Sequence, residues 1–357
     1  MYIFNPEHDL CIANGDIHFV PPESALAFGR DCASLVRLME GLDAEADLAK
    51  EAESPAGKIV PWGWNSVLCD RLRKQGIPQS KLPSEEQLRS IVELSHRKLA
   101  HTALEYLCEN PSMAEIDENS DNQLAALIGH DYRIAACSLE QVERFLEKQK
   151  HVVLKAPLSG SGKGIRFVSE ELSHSDAGWC RNLIAKHGYV VAEKRMLPLL
   201  EFAMLYKTDG YGGVDFLGYS LFWSENGAYR GNVLASNDFI KGKIEEYLPS
   251  GMVERVEKLL EEFLKRNVAG KYEGFVGVDQ FICRDPYGLS GAVERLLYNP
   301  VVEINLRMTM GLVARNIYDN FASEFGLQQG SHIFEICRNI PEKGRYSYRI
   351  AKTFVHL

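Results

Sequence analysis

The sequence predicts an α/β chain: a leading domain of alternating strands and helices, followed by a larger region of α+β character. Three observations carry this expectation. Short apolar runs at 2–4 and 59–62 alternate with helically spaced segments at 34–39 and 66–74. Two segments with strand patterning, 151–155 and 165–168, are joined by Ser159-Gly160-Ser161-Gly162-Lys163-Gly164. Two further apolar stretches, 275–281 and 301–305, each carry an acid, Asp279 and Glu303. With 357 residues, at a prior of about 150 per domain, two or three domains are expected, and 45% apolar residues suffice for their cores.

Taken in order, the first domain spans residues 1–95. Its acidic stretch, Asp43, Glu45, Asp47, Glu51 and Glu53, ends at Pro55-Ala56-Gly57 and reads as solvated surface. Ser84 and Gln87 fit a capping box ahead of Leu88, so a helix starts there and closes the domain. The second region, 96–357, opens with a helix over 97–107 and a polar loop over 109–123. Ser138 and Gln141 repeat the capping pattern before the strand 151–155, and a long helix is expected over 252–264. Within this region, 150–200 form one subdomain and 201–357 another.

The net charge of −9 gives no general attraction to nucleic acid or to an anionic membrane. No stretch approaches the roughly 20 apolar residues of a membrane span, and the N-terminus lacks the pattern of a signal peptide. The eight cysteines (Cys11, Cys32, Cys69, Cys108, Cys137, Cys180, Cys283 and Cys337) stand singly, so they read as buried thiols of a cytoplasmic protein rather than zinc ligands.

A glycine-rich loop can bring backbone N–H groups against phosphate oxygens, and Lys155 just ahead of it can neutralise their charge. The context excludes the commoner phosphate loops. A Walker-type loop needs its first Gly where Pro157 stands and leads into a helix; a dinucleotide fingerprint runs Gly-x-Gly-x-x-Gly, also into a helix. A protein kinase places its lysine after the loop, and no His-Arg-Asp or Asp-Phe-Gly is present. Glu303 and Asn305, at i and i+2 of a strand, face one side and suit a hard cation such as Mg²⁺. Asp279, costly to bury alone, invites the same cation.

From about Arg97 to Arg315 the ordered motifs resemble the ATP-grasp superfamily. Val153-Leu154-Lys155-Ala156-Pro157 with the loop through Gly164 looks like its phosphate-covering hairpin. Val190-Val191-Ala192-Glu193-Lys194-Arg195-Met196 looks like its hinge strand, and Glu201 matches the acid used on the ribose hydroxyls. Gly277-Val278-Asp279 and Val302-Glu303-Ile304-Asn305 match the metal strands, with Arg307 after them. Arg97 or Lys98 stands where the family keeps a basic residue for the phosphates, Arg97 being preferred.

The resemblance implies the ATP-grasp fold preceded by an α/β domain, and an ATP-dependent ligase. A carboxylate of a small molecule or peptide would be activated as an acylphosphate and joined to an amine. ATP would lie against Arg97, Lys155, Ser159, Gly160, Ser161, Gly162, Lys163, Gly164, Glu193, Lys194, Met196 and Glu201. Two Mg²⁺ ions, or Mn²⁺ in their place, would be held by Asp279, Glu303 and Asn305, with Arg307 and Lys155 stabilising the transferring phosphoryl group. A small-molecule kinase and a non-catalytic nucleotide-binding protein are the alternatives. His8 and Asp9 follow the first strand, where they read either as acceptor-substrate contacts or as a turn with a solvent histidine. Lys241 and Lys243 read as phosphate contacts or as a solvated linker. Gly213-Val214-Asp215 repeats the metal-strand pattern as a decoy.

Overall fold

The computed structural model describes residues 1–43, 46–47, 57–113, 124–127, 130–159, 164–225, 227–284, 296–340 and 344–352. The first strand, β1 (Tyr2–Ile3), pairs in parallel with β2 (Val60–Pro61), and between them lie helices His8–Asn14 and Glu23–Asp31. The segment expected to be helical at 34–39 winds as a 3-10 helix, Ala33–Met39, whose Leu35 and Leu38 stack at i and i+3 and are buried. Helix Ser66–Lys74 forms as expected, capped by Asn65. The capping box at Ser84 and Gln87 is present in full and starts helix Glu85–Leu94. Helix Arg97–Glu109 follows it directly.

Two antiparallel-rich sheets make up the rest. The smaller has the order β4 (Arg133–Ala136), β7 (Val190–Lys194), β5 (His151–Lys155), β6 (Ile165–Ser169), all antiparallel. Helices Leu139–Gln149 and His174–His187 cover it, burying Val142, Phe145, Leu146 and Cys180 against Val152, Leu154 and Val190. β5 and β6 are joined through the glycine loop, as the period-two patterning on both sides requires.

The larger sheet has eight strands among the described residues. Its centre is β8 (Leu197–Asp209), flanked by β9 (Val214–Glu225) and β11 (Glu273–Arg284). Beyond β9 lie β10 (Ala228–Leu234), β13 (His332–Ile340) and β14 (Gly344–Lys352); beyond β11 lie β12 (Leu296–Asn305) and β3 (Leu124–Leu127). Helix Met252–Asn267 extends the helical segment expected at 252–264 and lays Val256, Leu260 and Phe263 on one face of this sheet. Helix Met310–Phe325 packs Leu312, Val313 and Ile317 on the other, in one core with Tyr2, Phe4, Leu35 and Trp62. Apolar burial of Tyr2, Phe4, Leu35, Leu38 and Met39 therefore closes the described part of the chain's start over the large sheet.

Some expectations are corrected. Asp43 is buried, not solvated: Lys207 lies 3.0 Å and Lys58 3.3 Å from its carboxylate. Burial and these two ammonium groups act in opposite directions on its carboxyl, and the lysines prevail and lower its pKa. Glu45, Glu51 and Glu53 lie outside the described residues. Cys137 is exposed, and Cys108 and Cys337 are half-buried, whereas the other five thiols are buried. The polar loop expected at 109–123 begins instead with the last helical residue, Glu109, and a 3-10 turn at Pro111–Met113. Residues 114–123 are outside the described set. Among the described residues no helix is long and apolar enough to cross a membrane.

Candidate active site

A cavity of about 710 Å³ opens between the two sheets and reaches under the chain's first helices. Its wall brings together Arg97, Lys155, Glu193, Lys194, Met196, Glu201, Asp279, Glu303, Asn305 and Arg307. Ser159 stands beside them in the adjoining cleft with Glu303 and Asn305. Of the predicted loop, Gly160, Ser161, Gly162 and Lys163 lie outside the described residues.

The loop's two ends show how the chain turns there. Gly164 adopts φ +81°, its carbonyl accepts from the Ala156 N–H at 2.8 Å, and a Cβ on it would meet Ser159 Cβ at 2.8 Å. Only glycine fits. Arg97, at the first turn of its helix, reaches into this corner: its Nε donates to the Ala156 carbonyl at 3.0 Å and its Nη2 to Ser159 Oγ at 3.2 Å. The same Nη2 lies 3.0 Å from Glu303. Lys98 is absent from the cavity wall, so of the two candidate basic residues it is Arg97 that reaches the site.

Lys155, at the end of β5, is buried with its Nζ 2.6 Å from Glu193 of β7. Arg133, on β4, lies 3.0 Å from the other oxygen of Glu193 and donates to the Val301 and Val302 carbonyls of β12, each at 2.9 Å. Burial opposes the charge on Glu193, but Lys155 and Arg133 outweigh it and hold its carboxyl at about 2. The register explains the cluster, since Glu193 is opposite Arg133 on one side and Val153 on the other. Arg133 went unnoticed in the sequence. Its one signal is a charged residue heading the apolar run Ile134-Ala135-Ala136. Glu193 thus has two basic partners within the protein, Lys155 and Arg133. Lys194 sits 5.4 Å over the Tyr132 ring, and Met196, like Tyr132 and Phe281, packs against the small cluster of Cys283 and Leu297.

Asp279 of β11 pairs in register with Glu303 of β12. Two carboxylates opposite one another repel, and burial adds to the cost. Burial first and Glu303 second push the Asp279 carboxyl up to about 7, despite the Asn305 amide that donates to it at 2.9 Å. Two strands away from β12, Glu201 accepts from the backbone N–H and hydroxyl of Ser224 at 2.7 and 2.6 Å, and burial raises its pKa. Asp215 of the decoy is exposed at the sheet's far end.

Arg307 is committed within the protein. Its Nε donates to both oxygens of Asp9 at 2.8 and 3.0 Å, its Nη2 to Asn305 Oδ1 at 3.0 Å, and its Nη1 to the Met308 carbonyl at 3.2 Å. Burial opposes ionisation of Asp9, and Arg307 overcomes it and lowers the pKa. His8 is not the solvent histidine of a turn: it is buried under Gly63, with Nδ1 3.3 Å from the Asn65 amide, and burial lowers its pKa to about 4; of the pair read as possible acceptor-substrate contacts, Asp9 lines the cavity. Lys241 and Lys243 are on helix Asn237–Glu245 rather than on a linker, paired with Glu245 and Glu246 at 2.9 and 2.8 Å, and neither lines the cavity.

Among the described residues no three His, Cys, Asp or Glu side chains converge as a ready-made metal cluster. The Asp279 and Glu303 pair still fits a hard divalent cation, because it presents oxygen donors whose mutual repulsion a cation would relieve. Asn305 Oδ1 faces Arg307, so this amide steadies Asp279 rather than offering a third oxygen.

No protein-family profile matches the chain, and no curated protein matches it in sequence. Solved structures do resemble it in fold. The chain is similar to N5-carboxyaminoimidazole synthetase from Staphylococcus aureus complexed with ADP, with 13% identity and a TM-score of 0.45 over 94% of this chain and 82% of that one. It is similar to a biotin carboxylase–βγ-ATP complex from Campylobacter jejuni, with 16% identity and a TM-score of 0.45 over 81% of this chain and 60% of that one. D-alanyl-alanine synthetase A from Vibrio cholerae follows with 14% identity and a TM-score of 0.42, over 77% of this chain and 73% of that one. At such scores the likeness adds nothing to what the side chains themselves say.

Proposed function

We propose that this protein is an ATP-dependent ligase of the ATP-grasp type, with domains at 1–95 and 96–357, that activates a carboxylate and joins it to an amine. The observation that carries the reading is the cross-strand pair Asp279 and Glu303 facing, within one cavity, a strand lysine that leads into a glycine turn.

The residues divide the work as follows. Lys194 at the end of the strand beside the cavity and Met196 just past it, with Glu201, take the nucleoside end, while Glu193 of the same strand holds Lys155; Arg97, Lys155, Ser159, Gly164 and the loop Gly160, Ser161, Gly162 and Lys163 take the phosphates. Asp279 and Glu303 would hold Mg²⁺, and Asn305 would join them by turning its oxygen from Arg307. Bound there, the ion supplies positive charge against the phosphate oxygens. The acyl carboxylate oxygen attacks the terminal phosphorus, the bond to the bridging oxygen breaks, and ADP leaves. An amine nitrogen then attacks the acyl carbon, loses a proton and releases phosphate. Lys155 and Arg97, fixed by Glu193, Glu303 and main-chain carbonyls, meet the spreading charge without reorganising. Arg307, held by Asp9, adds fixed positive charge beside the two carboxylates.

The test is ADP release from Mg-ATP with pools of carboxylates, with hydroxylamine present to trap an acylphosphate as a hydroxamate. ADP with a hydroxamate is expected. A stable phosphorylated product would make the protein a kinase, and a protein that binds no nucleotide would end the proposal.

A further inference from the structure

The cavity has a second end that the nucleotide residues leave unused. Beyond Arg307 it runs under helix Glu23–Asp31 to the hairpin of β13 and β14, and its surface changes character. A chain of rings, linked through the buried Phe4, runs along this wall. Trp62 meets Phe4 edge-on at 5.2 Å, Phe4 meets Phe28 edge-on at 5.4 Å, and Phe28 lies 5.1 Å from Tyr346 of β14. Trp62, Phe28 and Tyr346 all line the cavity, with Phe222 and Ile336 beside them. Phe28 and Tyr346 are half-buried, so part of each ring is open to a ligand.

This wall is held in shape from both ends of the chain. Asp31, closing helix Glu23–Asp31, accepts from the backbone N–H groups of Arg345 and Tyr346 at 2.9 and 3.1 Å. Asp31 thus ties the strand that carries Tyr346 to the helix that carries Phe28. Directly opposite Tyr346 in the β-register stands Arg338, which also lines the cavity, is exposed, and has no ion pair among the described residues. Asp9 and Arg307 at the inner boundary neutralise each other. Among the described residues, the far end thus presents ring surface with Arg338, which has no ion pair there, at its mouth.

Resting on the ligase reading above, we propose that this end is the acyl-substrate subsite and that it takes an aromatic acid carrying a second anionic group. Its reactive carboxylate lies toward Asp279 and Glu303, its ring lies among Phe28, Trp62 and Tyr346, and its second anion meets Arg338. Rings gain by offset or edge-on contact as well as by burial, so a ring wall prefers an aromatic body to a hydroxylated one. A guanidinium meeting a carboxylate at a half-wet rim discriminates by charge.

The experiment uses the full chain with saturating Mg-ATP and measures ADP and hydroxamate against three sets of acids. These are aromatic diacids such as phenylsuccinate, aromatic monoacids such as 3-phenylpropionate, and small hydroxy and amino acids. The aromatic diacids are expected to show the lowest KM. Arg338→Gln should raise their KM about tenfold or more with kcat little changed, a loss fitting one charge-assisted contact, and leave the monoacids nearly unaffected. Phe28→Ala should raise KM for both aromatic sets. Turnover of the small acids alone would overturn this inference while leaving the ligase reading intact, as would an Arg338→Gln enzyme with an unaltered preference. Absence of nucleotide binding would overturn the ligase reading, and this inference with it. Nucleotide binding without ADP from any aromatic acid would overturn the inference by itself.

Discussion

Replacing Asp279 by asparagine should make the ion-free protein more stable at neutral pH while removing its response to magnesium. Asp279 faces Glu303 across two hydrogen-bonded strands, and burial together with that neighbour lifts its carboxyl from 3.8 to about 7. A carboxyl displaced that far costs the ionised fold about 4 kcal/mol as an upper figure, which water at the cavity wall reduces. The sign follows from proton linkage. Below pH 4 both folded and unfolded chains carry the proton, so there is no penalty. As pH rises from about 4 to about 7, the unfolded chain loses its proton first, and stability falls; above 7 the full cost is present. The substituted amide cannot ionise and keeps an oxygen for Asn305. In urea denaturation without divalent cations, Asp279→Asn should therefore gain on the order of 2 kcal/mol over the parent at pH 8 and nearly nothing at pH 4. Millimolar Mg²⁺ should stabilise the parent at pH 8 and not the variant. A variant no more stable than the parent at pH 8, or one still stabilised by Mg²⁺, would refute the reasoning.

Glu303→Ala should fold, since it leaves Arg97 its contacts with Ala156 and Ser159, yet lose Mg-dependent ATP turnover by at least about a hundredfold; normal turnover in an ADP-release assay would sink the metal assignment. Lys155→Ala should chiefly weaken nucleotide affinity, about tenfold or more by calorimetry, and an unchanged Kd would count against its role. Glu193→Gln strands two buried cations, Lys155 and Arg133, and should cost about 3 kcal/mol or more in denaturant unfolding. That stabilisation is present above the ordinary carboxyl range and fades only as pH falls toward 2, so parent and variant should converge in acid and a pH-independent difference would contradict it. Gly63→Ala places a Cβ 2.5 Å from the His8 ring, which Asn65 holds from below, and should lower stability by about 1–3 kcal/mol; a neutral effect would mean that the ring moves freely.

The sequence by itself determined what depends on near neighbours. The capping pairs at Ser84 with Gln87 and Ser138 with Gln141 start helices where they stand, because a cap is satisfied within three residues. The strand, glycine turn and strand around Lys155 were legible from period two and from glycine's freedom at φ > 0, and so were the acids set in the apolar runs at Asp279 and Glu303. Only the tertiary structure decided which charge meets which. Arg307 binds Asp9 almost three hundred residues away, Arg133 braces Glu193 against β12, and Asp43, in a stretch that read as solvated, is buried with Lys207. The ring wall joins Trp62 and Phe28 near the start of the chain to Tyr346 near its end. The physical reason is that periodicity sets which way a side chain points, whereas the cost of burying a charge is offset by whatever partner packing brings within a few ångströms, and that partner leaves no mark on the local pattern.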